Sequence, residues 1–252
     1  MPVPDDPRSP RALAARLLSL LDLTSLGESD TPARIEALCA SALAAPVLPA
    51  ALCVYPEHLA DARRHLQGHP IKLATVVNFP DGGGDPARVE RETQRALAVG
   101  ADEIDLVLPY RALLVGDAAV AGAVVRACRA ACGDGIVLKL IIESGELDTA
   151  ERIRRACAIG LEAGVDFLKT STGKVPVNAS LAAAAVMLDA IAEAGGRCGF
   201  KAAGGIRTLA DAAAYLDLAE ARLGPGWSDP AHFRIGASAL FGELVAAASA
   251  AP

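Results

Sequence analysis

Eight short apolar runs, spaced along most of the chain and separated by helical patterns, limit the folds open to this sequence more than any other feature. Each run is rich in leucine, isoleucine, valine or alanine, as expected of a parallel strand that is buried on both faces. The runs are LDLTSL (21–26), AALCVY (50–55), KLATVVNF (72–79), DEIDLVL (102–108), VLKLIIE (137–143), DFLKTST (166–172), GFKAAGG (199–205) and RIGAS (234–238).

The segments between these runs carry apolar residues at the i, i+3 and i+4 spacing that is typical of helices. Two of them begin with capping signals, because Thr31 precedes Pro32 in one and Thr208 precedes Asp211 by three residues in the other. The predicted helices include 31–43, 86–100, 148–164 and 208–223. Eight strands that alternate with helices in 252 residues predict an α/β fold, a (β/α)8 TIM barrel with an extra helical segment at its N-terminus.

The competing architecture is an open, doubly wound sheet. It is disfavoured because no G-x-G-x-x-G follows the first predicted strand, and because unusual polar residues recur near many strand ends instead of gathering at one crevice. We find no internal repeat beyond the alternation of strand and helix, and no linker. We therefore expect a single domain over 1–252, in which residues 1–10 (MPVPDDPRSP) form a loose polar arm and not a signal peptide.

Composition excludes several classes of function. The net charge of −6 argues against a nucleic-acid partner, and no apolar run is long enough to cross a membrane. Six cysteines are scattered in mostly apolar settings, which indicates reduced thiols in a cytoplasmic protein. The four histidines lie outside the strand motifs, so the sequence offers no visible set of metal ligands. These features favour a cytoplasmic protein that acts on small molecules.

Three consecutive predicted strands each contain an embedded lysine, namely Lys139, Lys169 and Lys201. One such lysine usually extends its stem toward water, but three on adjacent barrel strands approach one another. Clustering and burial both disfavour the ammonium form, so one of these amines should be partly neutral and able to form a Schiff base with a carbonyl. Asp22 and Asp105, also embedded in strands, are either ion-pair partners or groups that transfer protons. The pattern predicts iminium chemistry without identifying the nucleophile.

Small and polar residues follow the last three predicted strands. They are TSTGK (170–174), the pair Gly204 and Gly205, and the segment that contains Gly236 and Ser238. Glycines let backbone N–H groups approach an anion, and the N-terminus of a following helix adds a favourable dipole. Ordinary tight turns use the same residues, and TSTGK lacks the spacing of a P-loop. Their joint occurrence favours a phosphorylated small molecule as the substrate.

Taken together, these segments resemble the deoxyribose-phosphate aldolases, class I aldolases built on a TIM barrel. The resemblance extends from about Leu21 to Leu240. The matching segments are LDLTSL, CVYP, TVVNFP-G, GADEIDLVLPYRALL-G, LKLIIESGEL, GVDFLKTSTGK, GFKAAGGIRT and RIGAS. The resemblance implies cleavage of 2-deoxy-D-ribose 5-phosphate to glyceraldehyde 3-phosphate and acetaldehyde in deoxyribonucleotide catabolism, without metal or cofactor. A homodimer is compatible with it.

The resemblance also implies roles for individual residues. Lys169 matches the Schiff-base lysine, Lys201 would lower its pKa, and Asp105 would relay protons with Lys201. Cys53 matches a thiol near the pocket, without a catalytic role. The implied substrate-binding residues are Asp22, Thr24, Cys53, Lys139, Thr172, Gly173, Lys174, Gly204, Gly205, Gly236 and Ser238.

Two departures from the family pattern lead to further expectations. Some relatives end in a tail with a terminal tyrosine that helps to protonate the enamine, whereas this sequence ends in AAASAAP. We therefore expect slower proton exchange at the acetaldehyde methyl group. Ala239 replaces a serine that relatives often carry, which removes one hydroxyl donor from the phosphate site. The alternatives are another class I aldolase with a different phosphosugar, or a non-catalytic sensor of a sugar phosphate.

Overall fold

The computed structural model describes residues 9–250, and within them eight parallel strands close into a barrel. Each strand pairs with the next one in the chain, and the last pairs with the first, with Leu21 opposite Ile235. The strands are β1 (Leu21–Ser25), β2 (Ala51–Val54), β3 (Lys72–Val77), β4 (Glu103–Val107), β5 (Val137–Ile141), β6 (Phe167–Lys169), β7 (Gly199–Ala203) and β8 (Phe233–Ala237). The predicted TIM barrel is confirmed, and every predicted run overlaps one strand.

Helices follow the strands and surround the barrel. In the described part of the chain they are α1 (Pro10–Ser19), α2 (Pro32–Leu43), α3 (Leu59–His65), α4 (Pro86–Ala98), α5 (Tyr110–Leu114), α6 (Ala118–Cys132), α7 (Ser144–Leu147), α8 (Ala150–Glu162), α9 (Leu181–Glu193), α10 (Leu209–Leu223) and α11 (Leu240–Ser249), with a 3₁₀ turn at Pro56–His58. The extra N-terminal helix is α1, which packs mainly against α11. None of the helices within residues 9–250 has the length and apolar character needed to cross a membrane.

Side chains at the helix starts explain where several helices begin. The hydroxyl of Thr31 accepts from the third residue of α2, and Pro32 occupies its first position. Thr208 and Asp211 form the expected capping box at the start of α10. Ser9 caps α1 and Pro10 begins it. The last two residues of the expected N-terminal arm thus cap and begin the first helix, and the other eight lie outside the described residues.

The barrel interior is divided into an apolar part and a charged part. Apolar side chains fill the layer between sheet and helices, as in other parallel barrels. Inside the barrel, Ala51, Cys53, Ala74 and Val76 of β2 and β3 form a small apolar group. The strands from β4 to β8, together with β1, instead direct charged side chains inward. The chemistry of the protein is therefore concentrated on one side of the barrel interior.

Candidate active site

A cavity of about 420 Å³ opens at the carboxyl ends of β1, β6, β7 and β8. This is the end of the barrel at which the predicted loops meet, and at which enzymes of this fold place their active sites. The predicted site residues that line the cavity are Thr24, Lys169, Thr172, Gly173, Lys174, Gly204, Gly205, Gly236 and Ser238. The sequence motifs after β6, β7 and β8 thus converge on one space.

The three predicted lysines meet at a single carboxylate, that of Asp105 on β4. The Nζ of Lys169 donates to Asp105 Oδ2 at 2.7 Å, and the Nζ of Lys201 donates to the same oxygen at 2.8 Å. The Nζ of Lys139 donates to Asp105 Oδ1 at 2.8 Å. Lys169 is 3% exposed and lines the cavity, whereas Lys139, Lys201 and Asp105 are fully buried. Lys169 therefore presents its amine to the cavity from a buried charged network.

Beneath this group, Asp22 is joined by two residues that the sequence analysis missed, Glu103 and Arg234. Asp22 accepts from Lys201 at 2.5 Å and from Arg234 at 2.6 Å. Glu103 accepts from Arg234 at 3.0 Å and pairs with Lys139 at 2.5 Å. Together, the buried charged side chains form what we call the ion cluster, which consists of Asp22, Glu103, Asp105, Lys139, Lys169, Lys201 and Arg234.

Two sequence signals could have identified the missing members. Glu103 precedes Asp105 by two residues on β4, so both side chains point to the same face of the sheet. Arg234 lies within the apolar β8 run and is the register partner of Lys201 on β7. A charged residue is thus itself a candidate for the barrel interior when it lies two positions from an embedded charge on the same strand, or beside one on the neighbouring strand.

The charge of Lys169 is the least favoured in the ion cluster. Burial lowers the pKa of its amine, Asp105 opposes this effect, and the neighbouring ammonium of Lys201 adds to it, so that the pKa lies below the usual value. Burial also disfavours the ammonium forms of Lys139 and Lys201, but the surrounding carboxylates outweigh it and raise the pKa of both. The arrangement therefore combines one amine whose pKa is lowered with two whose pKa is raised.

The carboxylates of Asp105 and Asp22 are held in the ionised form. Burial would raise the pKa of Asp105, but Lys139, Lys169 and Lys201 outweigh it and hold the pKa well below the usual value. Burial likewise opposes the ionisation of Asp22, and the adjacent Lys201, Lys139 and Arg234 lower its pKa nonetheless. Arg234 retains its proton firmly because Asp22 and Glu103 outweigh the effect of its burial and raise its pKa.

Three residues that the resemblance assigns to substrate binding, Asp22, Cys53 and Lys139, lie outside the cavity lining in the described chain. They are fully buried. Asp22 lies two residues before Thr24 on β1, and Lys139 is paired in register with Phe167, two residues before Lys169. Asp22 and Lys139 therefore lie one side-chain layer deeper in the barrel. Burial raises the pKa of the Cys53 thiol to about 11, which keeps it neutral.

The TSTGK loop after β6 is held by Glu143, another residue that the sequence analysis missed. Glu143 follows β5 in a left-handed backbone conformation (φ 54°) and is fully buried. Its carboxylate accepts from the backbone N–H of Thr172 at 3.2 Å and from the Thr172 hydroxyl at 2.6 Å. That hydroxyl in turn accepts from the N–H of Lys174 at 3.0 Å. The hydroxyl of Thr172 thus shapes the loop through Glu143; Thr172 also lines the cavity, and its expected role in substrate binding stays a prediction.

The upper part of the cavity is lined by three cations, by backbone and by Asp30, which pairs with Arg34. Lys174, Arg34 and Arg207 all line it, and the Nζ of Lys174 donates to the carbonyl of Leu26 at 2.7 Å. Gly204 has a φ of +90°, and a Cβ there would lie 2.6 Å from Asn178 Oδ1, so no other residue fits at this position. The first turn of α11, directly after Ser238, has no side-chain cap within the described chain. An anion is the ligand that such a region suits best.

The cysteines and histidines do not assemble into a metal site. The six cysteines are free and buried. Within residues 9–250, no group of three or more histidine, cysteine, aspartate or glutamate side chains is placed to hold a metal ion. The expected independence from metals and cofactors stays a prediction, since it concerns the reaction.

Three solved structures that are similar to this chain have names that include deoxyribose-phosphate aldolase. A provisionally named deoxyribose-phosphate aldolase from Toxoplasma gondii ME49 is 27% identical, with a TM-score of 0.86, and the alignment covers 94% of both chains. A similarly named protein from Coccidioides immitis is 29% identical, with a TM-score of 0.79, over 96% of this chain and 88% of its own. The deoxyribose phosphate aldolase from Aeropyrum pernix, described as a tetramer, is 26% identical, with a TM-score of 0.73, over 94% of this chain and 91% of its own.

The family comparison covers most of the chain. The family model that matches is described as DeoC/LacD family aldolase, and it matches residues 16–239. This range contains all eight strands of the barrel and every member of the ion cluster. This protein therefore belongs to the DeoC/LacD family of aldolases and is a lyase of the aldolase type.

Proposed function

We propose that this aldolase cleaves 2-deoxy-D-ribose 5-phosphate reversibly to D-glyceraldehyde 3-phosphate and acetaldehyde through a Schiff base on Lys169. One observation carries the proposal: among the cluster's lysines in the described chain, Lys169 alone lines the cavity, and it alone has a lowered pKa. A neutral amine at the base of a cavity is the group that carbonyl addition requires. The similarity to the deoxyribose-phosphate aldolases supports the choice of substrate.

The proposed mechanism begins with addition of the neutral Lys169 amine to the C1 aldehyde. Loss of water gives an iminium ion, which accepts the electron pair of the breaking C2–C3 bond while a base removes the C3 hydroxyl proton. We assign the relay of that proton to Asp105 and Lys201, which are hydrogen-bonded to each other and lie next to the Lys169 amine. Glyceraldehyde 3-phosphate leaves, the remaining enamine is protonated, and hydrolysis of the iminium releases acetaldehyde and Lys169.

The cationic part of the cavity would hold the phosphate. Lys174 and Arg207 supply positive charge, and the Gly204–Gly205 turn and the first turn of α11 supply N–H groups. Binding of the phosphate there would orient C1 of the sugar toward Lys169 at the base of the same cavity. We further propose that the reaction needs no metal or cofactor, and that the protein acts in the cytoplasm in deoxyribonucleotide catabolism. The homodimer and the single-domain organisation also remain proposals.

Reductive trapping tests the proposed function directly. The protein is incubated with acetaldehyde and borohydride, digested, and examined by mass spectrometry. We expect a reduced two-carbon adduct on the peptide that contains Lys169. The control variant Lys174→Met should form the same adduct, because acetaldehyde has no phosphate, but should lose about 10- to 100-fold in kcat/KM for the phosphosugar.

The other outcomes of the trapping experiment are equally informative. An adduct on Lys139 or Lys201 would keep the aldolase chemistry but overturn the role of Lys169. No adduct, in protein that still binds the sugar phosphate, would indicate a sensor. Efficient trapping without turnover of deoxyribose 5-phosphate would indicate an aldolase with another phosphosugar as its substrate.

Glu143 is expected to affect substrate binding more than chemistry. Its replacement by glutamine removes one of the two acceptors that fix Thr172, so the TSTGK loop loses its hydrogen-bonded support. We expect KM for the phosphosugar to rise by about 10-fold, with kcat changed less than threefold, since one hydrogen bond to a charged group contributes about 1.5–3 kcal/mol. Steady-state kinetics would check this. Thr172→Ser keeps the hydroxyl and is the matched control, and a fall in kcat at constant KM would contradict the assignment.

A further inference from the structure

We propose that Arg234 and Glu103, which lie below the cavity and do not line it, determine whether the amine of Lys169 is charged. They act through the balance of charges in the ion cluster. The inference rests on the proposed function, because it concerns the protonation of the amine that would attack the substrate. Neither residue would touch the substrate, and both would act on it only through their effect on the charge of Lys169.

The first argument is a count of charges. In the described chain the cluster contains three carboxylates and, besides Lys169, three cations, which are Lys139, Lys201 and Arg234. With a neutral Lys169 these charges cancel. With a protonated Lys169 the cluster carries one uncompensated positive charge, in a place where every member is at most 5% exposed. A net charge so deeply buried is unfavourable, so Lys169 is the member expected to lose its proton.

The second argument is the use of the carboxylate oxygens. Arg234 donates to Asp22 Oδ1 and Glu103 Oε1, and Lys201 donates to Asp22 Oδ2. Lys139 is paired with the remaining oxygen of Glu103 and with Asp105 Oδ1, and Lys201 takes Asp105 Oδ2.

All six carboxylate oxygens among the described members of the cluster are therefore engaged by cations other than Lys169. Lys169 shares its one acceptor, Asp105 Oδ2, with Lys201. It contacts only one carboxylate oxygen, whereas each of the other three cations in the described chain contacts at least two, which agrees with the lowered pKa of its amine.

Arg234 supplies the charge that completes this arrangement. A guanidinium does not deprotonate in proteins, so its positive charge is fixed at any physiological pH. Without it, two carboxylate oxygens lose their partner and the cluster carries a net negative charge, which protonation of Lys169 would cancel. Without the negative charge of Glu103, the cluster is already positive with Lys169 neutral, so protonation becomes still less favourable. The two residues should therefore shift the pKa of Lys169 in opposite directions.

Four other titratable side chains, outside the ion cluster, face the amine of Lys169 or line the same cavity. Cys53 of β2 faces it as a neutral thiol, with a pKa raised to about 11 by burial. Glu143, from the loop after β5, faces it as a carboxylate that favours the ammonium form. Lys174 and Arg207 line the same cavity from the loops after β6 and β7 and oppose that form. The substitutions proposed below leave all four unchanged.

The test is the pH dependence of borohydride trapping with acetaldehyde, because trapping needs the neutral amine and uses no phosphate. We expect Arg234→Gln to move the midpoint up by about one pH unit and Glu103→Gln to move it down by about one unit. The double variant Glu103→Gln/Arg234→Gln removes one charge of each sign, so its midpoint should return to within about half a unit of the parent protein. Arg234→Lys keeps the charge and should shift the midpoint least among the Arg234 variants.

The outcomes separate this inference from a structural role. Lower trapping rates at every pH with unmoved midpoints would overturn it, as would single variants that shift in the same direction. If Arg234→Gln fails to fold, the comparison of Glu103→Gln with the double variant gives the same answer, since adding the Arg234 substitution must raise the midpoint again. Absence of an adduct on Lys169 in the parent protein would refute the proposed function, whereas a normal adduct with unmoved midpoints would refute this inference alone.

Discussion

Replacement of Lys169 by methionine is expected to abolish retro-aldol activity and leave the barrel folded. The variant has no amine for the Schiff base, and loss of a covalent nucleophile lowers kcat by about 10⁴-fold or more. Methionine is unbranched and fills a similar space, so the packing at the end of β6 should survive. Activity on deoxyribose 5-phosphate and circular dichroism of the purified variant would measure the two effects. Residual activity within 100-fold of the parent protein would contradict the assignment.

The same variant should be more stable than the parent protein at neutral pH. Because the pKa of Lys169 is lower in the folded state than in the unfolded chain, the unfolded chain binds the proton more readily. The free energy of unfolding therefore falls as the pH drops from about 10.4 toward the folded-state pKa. Lys169→Met removes this loss, so its advantage in denaturant unfolding should be larger at pH 7 than at pH 11. Lys72→Met, at the exposed start of β3, is the control and should change neither activity nor stability.

Replacement of Asp105 by asparagine is expected to have the largest effect on stability. Asp105 accepts from three lysines, and without its charge the cluster keeps two carboxylates against four potential cations. Removal of one partner from a buried ion pair costs about 3–5 kcal/mol, which corresponds to a fall in Tm of about 10 °C for a chain of this size. Activity should fall by about 10²- to 10⁴-fold, because the relay between Asp105 and Lys201 is lost.

A surface variant provides the comparison for Asp105. Asp189 of α9 pairs with Arg222 of α10, and both side chains are partly exposed. Exposed pairs contribute about 0–1 kcal/mol, so Asp189→Asn should change Tm by no more than about 3 °C. Thermal unfolding of the two variants side by side would show whether burial makes the difference. Equal changes in Tm would mean that the ion cluster does not stabilise the barrel.

Asp105 should also determine part of the acid sensitivity of the protein. Its pKa in the folded protein is lower than in the unfolded chain, so it adds stability above about pH 4 that is lost as the pH falls toward the folded-state value. The parent protein should lose stability steeply below pH 4, and Asp105→Asn should lose less over the same range. Parallel acid-unfolding curves for the two proteins would contradict this expectation.

The sequence predicted the barrel well because its signals are local. Apolar runs and helix caps are properties of a few neighbouring residues, and each predicted run overlaps a strand. Strand ends were less accurate, as in β6, which stops at Lys169 although the run continued to Thr172. After Lys169, threonine side chains form hydrogen bonds to neighbouring segments. The Thr170 hydroxyl donates to the carbonyl of Ala203 and accepts from its N–H, and the Thr172 hydroxyl donates to Glu143. Such contacts form only when neighbouring strands are in place.

The charged part of the site was predictable only in part for the same reason. Lys139, Lys169 and Lys201 stand out because charges are rare within apolar strands. The partnership of Glu103 and Arg234 joins β4 to β8, on opposite sides of the closed barrel and 131 residues apart in the chain. Local patterns mark each of the two residues only as a candidate for the barrel interior, and they do not show that the two contact each other. Which of the three lysines has the lowered pKa depends on these contacts across the barrel.

The hydrogen bond between Lys174 and the carbonyl of Leu26 has a consequence for the speed of turnover. A phosphate that binds this ammonium replaces, in whole or in part, an acceptor that the protein itself supplies. The binding free energy gained is then the difference between the hydrogen bond to the phosphate and the hydrogen bond to Leu26. When the phosphate leaves, the ammonium of Lys174 can bond to the Leu26 carbonyl again. In the proposed reaction we therefore expect glyceraldehyde 3-phosphate to leave faster than it would from a site whose lysine had no partner of its own.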